Sequence, residues 1–514
     1  MYCASLGSSA FIFRLRCTSV SRLSSFSAVL CFLILTLSCG DSATKSLMPA
    51  FSNTNLQGNY TYRIGGIFFT STNGTQSYSE AGTFVADGNG KITAGTDDFV
   101  ESSTLSSSQF TGTYTVATDG TGIITVSLSR GTVQFAISLI SSSSLYLIEY
   151  DSLASGDGVA LQQDPGAIPT TPAGTFVFHL HSSLPSSAAL GAVSSVGQMT
   201  IQNGSVTGDE DVVRDGVPGS YTFTGSINSP DSNGRGTASL TDNSGIESDY
   251  IYYVVSSTTL KFLETDPGPL GGGRADAQTT STSFSNASLS NGFAFRGRGD
   301  TLANSFGANA AGAFATDGNG NIVSGTYDSV VDGVPASNVA LTGTYNVASN
   351  GRATITLTPQ GMSPISLIAW MVSSSEAFFL VNSSDLAEDG RLDQQQSGSF
   401  SAGSLKGQYA FYMFGSETQG SPWLTRVGTI SFDGNSTVTF NDYYVNHSGS
   451  TAQHGLIAGN YAVSANGRVA AFCVGAVDTQ VLYLVSDHSA ATMLGVSGSE
   501  LAGSLGTSTD AIED

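Results

Sequence analysis

The sequence predicts an all-β protein built from four tandem antiparallel meander domains. Gly accounts for 61 of the 514 residues, aromatic residues make up 10% and charged residues only 11%. This mixture is typical of short strands joined by tight turns and differs from that of disordered chains, which lack aromatic residues. An aromatic pair recurs about every 116 residues, and apolar and polar residues alternate with period two around it.

Repetition defines the domain boundaries. The first strand of each unit carries the aromatic pair, as in Tyr60 and Tyr62 of the first unit. The equivalent pairs are Phe176 and Phe178, Phe293 and Phe295, and Tyr409 and Phe411. Several markers at one period indicate duplication, and each unit is large enough to bury its own core. The predicted units are 55–164, 173–278, 289–396 and 404–500, followed by a C-terminal tail at 501–514.

Alternation within the first unit predicts its strands. Tyr60, Tyr62 and Ile64 share one face of a strand, and turn signals such as Asp87-Gly88 and Asp119-Gly120 follow at short intervals. About eight consecutive strands and no helix are expected. Such strands can close into an up-and-down barrel of the lipocalin or avidin kind, which is either filled by side chains or holds one small ligand. A two-sheet sandwich is the alternative.

The hairpin at 82–98 is the most recognisable part of the unit. It returns at 311–328, in shortened form at 196–211 and in degraded form at 427–442. With its G-x-Y and D-G-x-G-x-I-x-x-G-x-x-D patterns, the unit resembles the uncharacterised repeats found in secreted proteins of environmental bacteria. This resemblance implies no particular activity.

The N-terminal segment is predicted to direct export. The apolar run 26–37 follows an arginine-bearing stretch and is too short to span a membrane. Leu35-Thr36-Leu37-Ser38-Cys39 resembles the lipobox of bacterial lipoproteins. The resemblance implies cleavage of signal peptide 1–38, lipidation of Cys39, a tether at 39–54, and attachment to the outer membrane or cell surface. An ordinary secretory signal peptide is the alternative.

Charge and cysteine content exclude several functions. The formal net charge is −22, and such an acidic surface repels phosphate backbones, so no nucleic-acid partner is expected. Of the five cysteines, only Cys39 and Cys473 would survive the predicted cleavage, which leaves no disulfide framework or cysteine-based zinc site. Cys473 lies in an apolar strand and is expected to be a buried small hydrophobic residue.

Two glycine-rich turns are candidate calcium loops. Asp87 and Asn89 in the first unit, and Asp317 and Asn319 in the third, offer oxygen ligands of the kind calcium prefers. The second unit trims this turn to Asn203-Gly204. A turn that can be shortened favours the alternative, in which these residues only build a hairpin. No metal or cofactor is therefore predicted.

A carboxylate recurs on the strand after this turn. Its four copies are Asp98, Asp211, Asp328 and Asp442, and their acidic neighbours are Asp97, Glu101, Asp209 and Glu210. Paired carboxylates can perform glycoside hydrolysis if they face one another across a cleft. A structural hydrogen bond or a solvated face is the favoured interpretation.

Other candidates occur in single units. His179 and His181 share one side of a strand and are candidate metal ligands. Trp423 and Tyr443-Tyr444 are candidate sugar contacts, although packing is the favoured interpretation. No nucleophile elbow, phosphate-binding loop or H-E-x-x-H motif is present.

These observations favour a non-enzymatic, lipid-anchored envelope protein. Its tandem domains would act as binding or spacer modules, with extracellular polysaccharide or an envelope protein as the expected partner. Two alternatives are a carrier that holds a small apolar ligand inside its barrels and a hydrolase of an extracellular substrate.

Overall fold

A computed structural model describes residues 50–69, 75–101, 104–168, 170–183, 192–267, 270–279, 283–302, 307–415, 424–446, 449–473, 479–487, 490–495 and 502–506. These residues form 32 strands and three short 3-10 turns. The turns are Asn53–Asn55, Asn286–Ser288 and Ala402–Ser404. Within the described ranges, no helix is long and apolar enough to cross a membrane.

Each predicted unit forms a closed barrel of eight antiparallel strands. Neighbouring strands are consecutive in sequence, and the first strand also pairs with the last, which removes exposed sheet edges. The prediction of up-and-down barrels is confirmed, and the two-sheet sandwich is wrong. The eight alternating segments of each unit therefore bury one face inward and present the other to solvent or to another barrel.

The strand bounds follow the repeats. Barrel 1 contains β1 (Gln57–Phe69), β2 (Thr75–Asp87), β3 (Lys91–Glu101), β4 (Thr104–Val116), β5 (Thr121–Leu128), β6 (Gly131–Leu139), β7 (Ser144–Glu149) and β8 (Ala154–Gln162). Barrel 2 contains β9 (Gly174–Ser183), β10 (Ala192–Gln202), β11 (Ser205–Arg214), β12 (Val217–Ile227), β13 (Arg235–Asp242), β14 (Glu247–Ser256), β15 (Thr259–Glu264) and β16 (Leu270–Ala277).

The remaining strands form the second half of the chain. Barrel 3 contains β17 (Ser290–Thr301), β18 (Gly307–Asp317), β19 (Asn321–Val331), β20 (Val334–Val347), β21 (Arg352–Pro359), β22 (Ile365–Met371), β23 (Glu376–Val381) and β24 (Leu386–Gln394). Barrel 4 contains β25 (Lys406–Gly415), β26 (Leu424–Asp433), β27 (Thr437–Val445), β28 (Thr451–Val463), β29 (Arg468–Cys473), β30 (Thr479–Leu484), β31 (Ala490–Gly495) and β32 (Ala502–Gly506).

The fourth unit extends beyond its predicted end at residue 500. Strand β32 pairs with both β25 and β31 and thereby closes barrel 4. Its sequence, Ala-Gly-Ser-Leu-Gly, carries little of the alternation that marks the other strands, so the sequence pattern does not predict a strand here.

Five further apolar clusters of the described residues lie between the barrels rather than inside them. At each junction, the first three strands of one barrel pack against later strands of the next. Barrels 1 and 2 meet through Ala81 and Tyr253, barrels 2 and 3 through Val196 and Trp370, and barrels 3 and 4 through Ala311 and Tyr483.

Barrel 4 also packs against barrel 1, and here too the first three strands of one barrel contact later strands of the other. Ala410 and Val427 of barrel 4 pack with Ala136 and Tyr146 of barrel 1. Head-to-tail contacts of this kind close into a ring when the rotation between neighbours brings the last unit back to the first. The four barrels therefore form a closed ring with pseudo-fourfold arrangement.

A glutamine after the last strand of each of the first three barrels reinforces the junctions. Its side-chain amide donates to a backbone carbonyl of the next barrel, with distances of 2.7 Å from Gln163 to Val254, 2.8 Å from Gln278 to Met371, and 2.7 Å from Gln395 to Leu484. The recurrence of this residue is explained by the repeated junction.

Candidate functional site

Three of the recurring carboxylates hold the barrels together. Asp98 of barrel 1 accepts hydrogen bonds from Arg235 Nε at 2.6 Å and Nη2 at 3.0 Å, and also from the Tyr253 hydroxyl. Both partners belong to barrel 2. The bidentate geometry and the burial of Asp98 make this a strong, directional contact.

The next two junctions repeat this contact, which we call the carboxylate clamp. Asp211 accepts from Arg352 Nη2 at 2.6 Å and from Trp370 Nε1 at 2.9 Å, both in barrel 3. Asp328 accepts from Arg468 Nη2 at 2.7 Å in barrel 4. Burial opposes ionisation of Asp328, but hydrogen bonds from Arg468 and its other partners hold the pKa of this carboxyl below its usual value. All three carboxylates are therefore engaged in hydrogen bonds between neighbouring barrels.

Asp442 differs because the fourth hairpin has a different register. In barrel 1, β3 contains a β-bulge, and Asp98 lies opposite Ala81. In barrel 4, β26 and β27 pair without a register shift, and Asp442 lies opposite Gly428. Compared with barrel 1, barrel 4 lacks the bulged residue, and this one-residue shift turns the Asp442 side chain to the other face of the strand. Asp442 thus occupies the position of Asp97 rather than Asp98, as Asp97 lies opposite Gly82.

The partners of Asp442 are consequently within barrel 4. Arg426 Nε donates to its carboxylate at 2.6 Å, and His454 Nδ1 lies at 3.0 Å. Tyr443 takes the outward position and packs edge-on against Tyr150 of barrel 1, with ring centroids 5.2 Å apart. Tyr444 stacks on His454 at 4.4 Å. Packing is therefore the observed role of both tyrosines.

The acidic neighbours of the clamp point to different faces of their strands, because successive strand residues alternate between the two faces. Asp97 points into barrel 1 and accepts from Tyr62 at 2.9 Å and from Arg130 at 2.6 Å. Glu210 points into barrel 2 and accepts from Ser195 at 3.0 Å. Asp209 is exposed, and Glu101 is half-buried at the end of β3. No two of these form a facing pair across a cleft.

The two histidines of barrel 2 share one carboxylate of barrel 3. Nδ1 of His181 lies 2.6 Å from Asp389, and Nδ1 of His179 lies 3.3 Å from it. Burial disfavours the charged form of His179 and lowers its pKa. Although burial of Asp389 acts in the opposite sense, the charge of His181 and these hydrogen bonds hold the pKa of Asp389 well below its usual range. These three groups form a polar junction at the inner side of the ring.

The candidate calcium residues build their own turns. Asp87 Oδ1 accepts from the amides of Asn89 and Lys91, at 2.7 Å and 3.0 Å. Asp317 makes the same contacts with Asn319 and Asn321. Gly88 adopts a positive φ of 79° that this turn requires. In the part of the chain that the structure describes, no group of three His, Cys, Asp or Glu side chains is arranged to hold a metal ion.

Two sequence candidates fall outside the described residues, namely Cys39 and Trp423. Cys473 ends strand β29, and its side chain is also outside the described part.

Barrel 2 contains a cavity of about 440 Å³. Aromatic and apolar side chains form its inner wall, and most are buried. They include Phe178, Met199, Phe223, Tyr250 and Phe262. A space of this size, with apolar walls and a few polar groups, is typical of small-molecule sites.

Smaller residues at inward positions create this space. By strand register, Val193 and Val212 of barrel 2 correspond to Tyr78 and Phe99 of barrel 1, and Ser195 corresponds to Glu80. In barrel 1 the two rings lie 5.4 Å apart and fill the same end of the interior. Replacing both rings with isopropyl groups removes enough volume to leave barrel 2 open.

Carboxylates lie along the cavity wall. Ser182 donates to Glu264 at 2.6 Å, and burial above all raises the pKa of this carboxyl to about 7. Burial also raises the pKa of Glu210. Asp242 lies 3.8 Å from Arg214 Nη1, and its other oxygen accepts from the Ile246 amide at 3.0 Å.

Sequence reasoning missed this cavity. The available signal was the size difference between repeats at inward positions, Val and Ser against Tyr, Phe and Glu. Reading that signal requires the strand register, because a shift of one residue moves every side chain to the other face.

Comparisons with solved structures gave several matches, and two of them illustrate how weak the similarity is. No protein-family model and no curated protein matches the chain. The isotype 1 transferrin binding protein B of serogroup B Neisseria meningitidis has a TM-score of 0.18 and 9% identity, covering 71% of this chain and 84% of that one. An AttH candidate from Nitrosomonas europaea has a TM-score of 0.14 and 8% identity, covering 65% and 92%. At these TM-scores, neither similarity supports a statement about this chain.

Proposed function

We propose that the protein is a non-enzymatic, exported binding protein that holds a small, largely apolar ligand inside barrel 2. The observation that carries this proposal is the cavity of about 440 Å³, at the place where barrel 1 is filled by Tyr78 and Phe99. The other barrels would then serve as the rigid ring that holds barrel 2.

Two further observations support binding over the alternatives. Asp98, Asp211 and Asp328, the carboxylates considered for hydrolysis, are committed to arginines at barrel junctions. A closed ring also gives less reach than four barrels in a line, which disfavours a spacer. Extracellular polysaccharide or an envelope protein remains a proposed partner of the ring's outer surface.

Filling the cavity is expected to abolish ligand binding. The double variant Val193→Tyr and Val212→Phe copies the side chains of barrel 1 into barrel 2, and we expect it to lose binding of the neutral fluorescent probe Nile red. The measurement is a fluorescence titration of purified protein, with circular dichroism to verify the fold, since added core volume can cause strain.

The matched control is Val217→Phe on β12, where the side chain is 64% exposed and outside the cavity. This variant should bind Nile red as the wild type does. Unchanged binding by the filled variant would rule out the cavity as the site.

We also propose that a lipid on Cys39 anchors the protein in the envelope. Labelled palmitate should enter the wild type and the control Cys31→Ala, whose cysteine lies inside the apolar run, but not Cys39→Ala. The reason is that the Cys39 thiol would be the acceptor of the diacylglyceryl group. Label recovered in Cys39→Ala would exclude this anchor.

A further inference from the structure

The charge on the cavity wall is strongly one-sided. Six carboxylate residues line the cavity or its mouth, and Arg214 is the one basic residue among the lining residues. The six are Glu210, Asp242, Glu247, Asp249, Glu264 and Asp266. Carboxylates gathered in a partly enclosed space repel one another, and a cation among them lowers that cost.

Barrel 1 shows how this fold neutralises the same positions. By register, Asp97 and Glu149 of barrel 1 correspond to Glu210 and Glu264 of barrel 2. In barrel 1, the Arg130 guanidinium enters the interior and contacts Asp97 at 2.6 Å and Glu80 at 2.5 Å. It also lies over the Phe99 ring, 4.3 Å from its centroid. The protein's own cation thus fills the end of barrel 1.

Barrel 2 keeps the two acids without this cation. Ser182 and Ser195 hydroxyls are the hydrogen-bond donors to Glu264 and Glu210. Arg214 lies 3.8 Å from Asp242, which is beyond hydrogen-bond range, and its charge acts on Glu210 and Glu264 without a hydrogen bond to either.

Asp242 supplies an independent indication of a missing partner. It is 8% exposed, lines the cavity, and its Oδ2 atom is buried without a hydrogen bond. A buried carboxylate oxygen without a donor is costly, and a ligand that donates to it would remove that cost.

We infer that the ligand of barrel 2 is an organic cation: a protonated amine on an apolar body. This inference rests on the proposed function of the same cavity. The ammonium group would lie among Glu210, Glu264 and Asp242, where Arg130 lies in barrel 1. The apolar body would contact the wall formed by Phe178, Phe223 and Phe262, whose rings also favour a nearby cation.

Three probes of equal chain length test the charge. Octylamine, octanol and octanoate differ in head group alone, and their binding to the purified protein can be compared by isothermal titration calorimetry near neutral pH. Octylamine should bind about tenfold more tightly than octanol, because a hydrogen bond between charged groups is stronger than a neutral one. Octanoate should bind most weakly.

A charge variant separates head-group recognition from cavity shape. In Glu210→Gln with Glu264→Gln, octylamine affinity should fall about tenfold while octanol affinity is retained. Retained octanol binding shows that the cavity is intact. The control Asp209→Asn, exposed on the outer face of β11, should leave all three affinities unchanged.

The possible results distinguish this inference from the proposed function. Equal affinities for all three probes, preference for octanoate, or no octylamine binding overturns the cationic ligand; if Nile red still binds, the cavity remains a ligand site. Failure of Nile red and all three probes overturns the proposed function together with this inference.

Discussion

Replacing Asp211 with Ala is expected to lower the free energy of unfolding by about 3 kcal/mol. Asp211 is 1% exposed and receives hydrogen bonds from Arg352 and Trp370 of the next barrel. Truncation leaves the buried indole N–H of Trp370 without its acceptor and removes the anionic partner of the Arg352 guanidinium, whose side chain is 32% exposed, which costs more than the net value of the contact itself. Urea denaturation measures the loss, and fluorescence follows Trp370, one of two tryptophans in the chain.

The matched control is Asp209→Ala, two residues earlier on the same strand and exposed. It removes an equal charge from the same outward face, so its effect should stay within about 0.5 kcal/mol. Similar losses in the two variants would show that net charge matters and that the clamp contributes nothing specific.

The carboxylate clamp occurs where the chain passes directly from one barrel to the next. The junction between barrels 4 and 1 uses other contacts, including Asn441 Nδ2 to Asp119 Oδ2 at 2.8 Å and Ser138 Oγ to the Gly428 carbonyl at 2.7 Å. The changed register of β27 explains the difference, because it turns Asp442 inward and brings Tyr443 to the surface. The register of β27, with Asp442 opposite Gly428, therefore gives the ring-closing junction its own chemistry.

The sequence was sufficient to predict the barrels. Tyr60, Tyr62 and Ile64 alternate with polar residues, and such local patterns determine which face of a strand is buried. The ring could not be predicted in this way, because it depends on apolar residues on outward faces. Val177 and Val196, for example, lie between barrels 2 and 3, yet in sequence they are indistinguishable from core residues.

The clamp and the cavity needed three-dimensional information for different reasons. The recurrence of Asp98, Asp211 and Asp328 was visible, but Arg235, the partner of Asp98, lies 137 positions away from it. The cavity depends on the summed volume of residues from several strands, and no single pattern encodes it. The repeats therefore indicated the positions of the clamp carboxylates without their partners, and they did not indicate the cavity.

Replacing Glu388 with Gln is expected to raise the free energy of unfolding by about 5 kcal/mol near pH 9. Glu388 is buried in barrel 3 near Tyr327, and burial, aided by the charge of Asp389, raises its pKa from 4.5 to about 8. The folded state then binds more protons than the unfolded chain between these two values. The free energy of unfolding consequently falls as pH rises through this window, and the variant lacks this loss.

Urea unfolding at several pH values measures the effect. The free energies of unfolding of wild type and Glu388→Gln should differ least below the lower pKa and most above the upper one, while the exposed-residue control Glu247→Gln should follow the wild type.

Other buried groups also titrate in this range. Glu149, whose pKa is raised to about 7 chiefly by burial, retains some of the same pH dependence of stability in every variant. His179 acts in the opposite sense, because its lowered pKa makes stability fall as pH drops below about 6.5. Curves for wild type and Glu388→Gln that stay parallel from acid to alkaline pH would mean that the Glu388 carboxyl titrates alike in both states, and its burial would then carry no electrostatic cost.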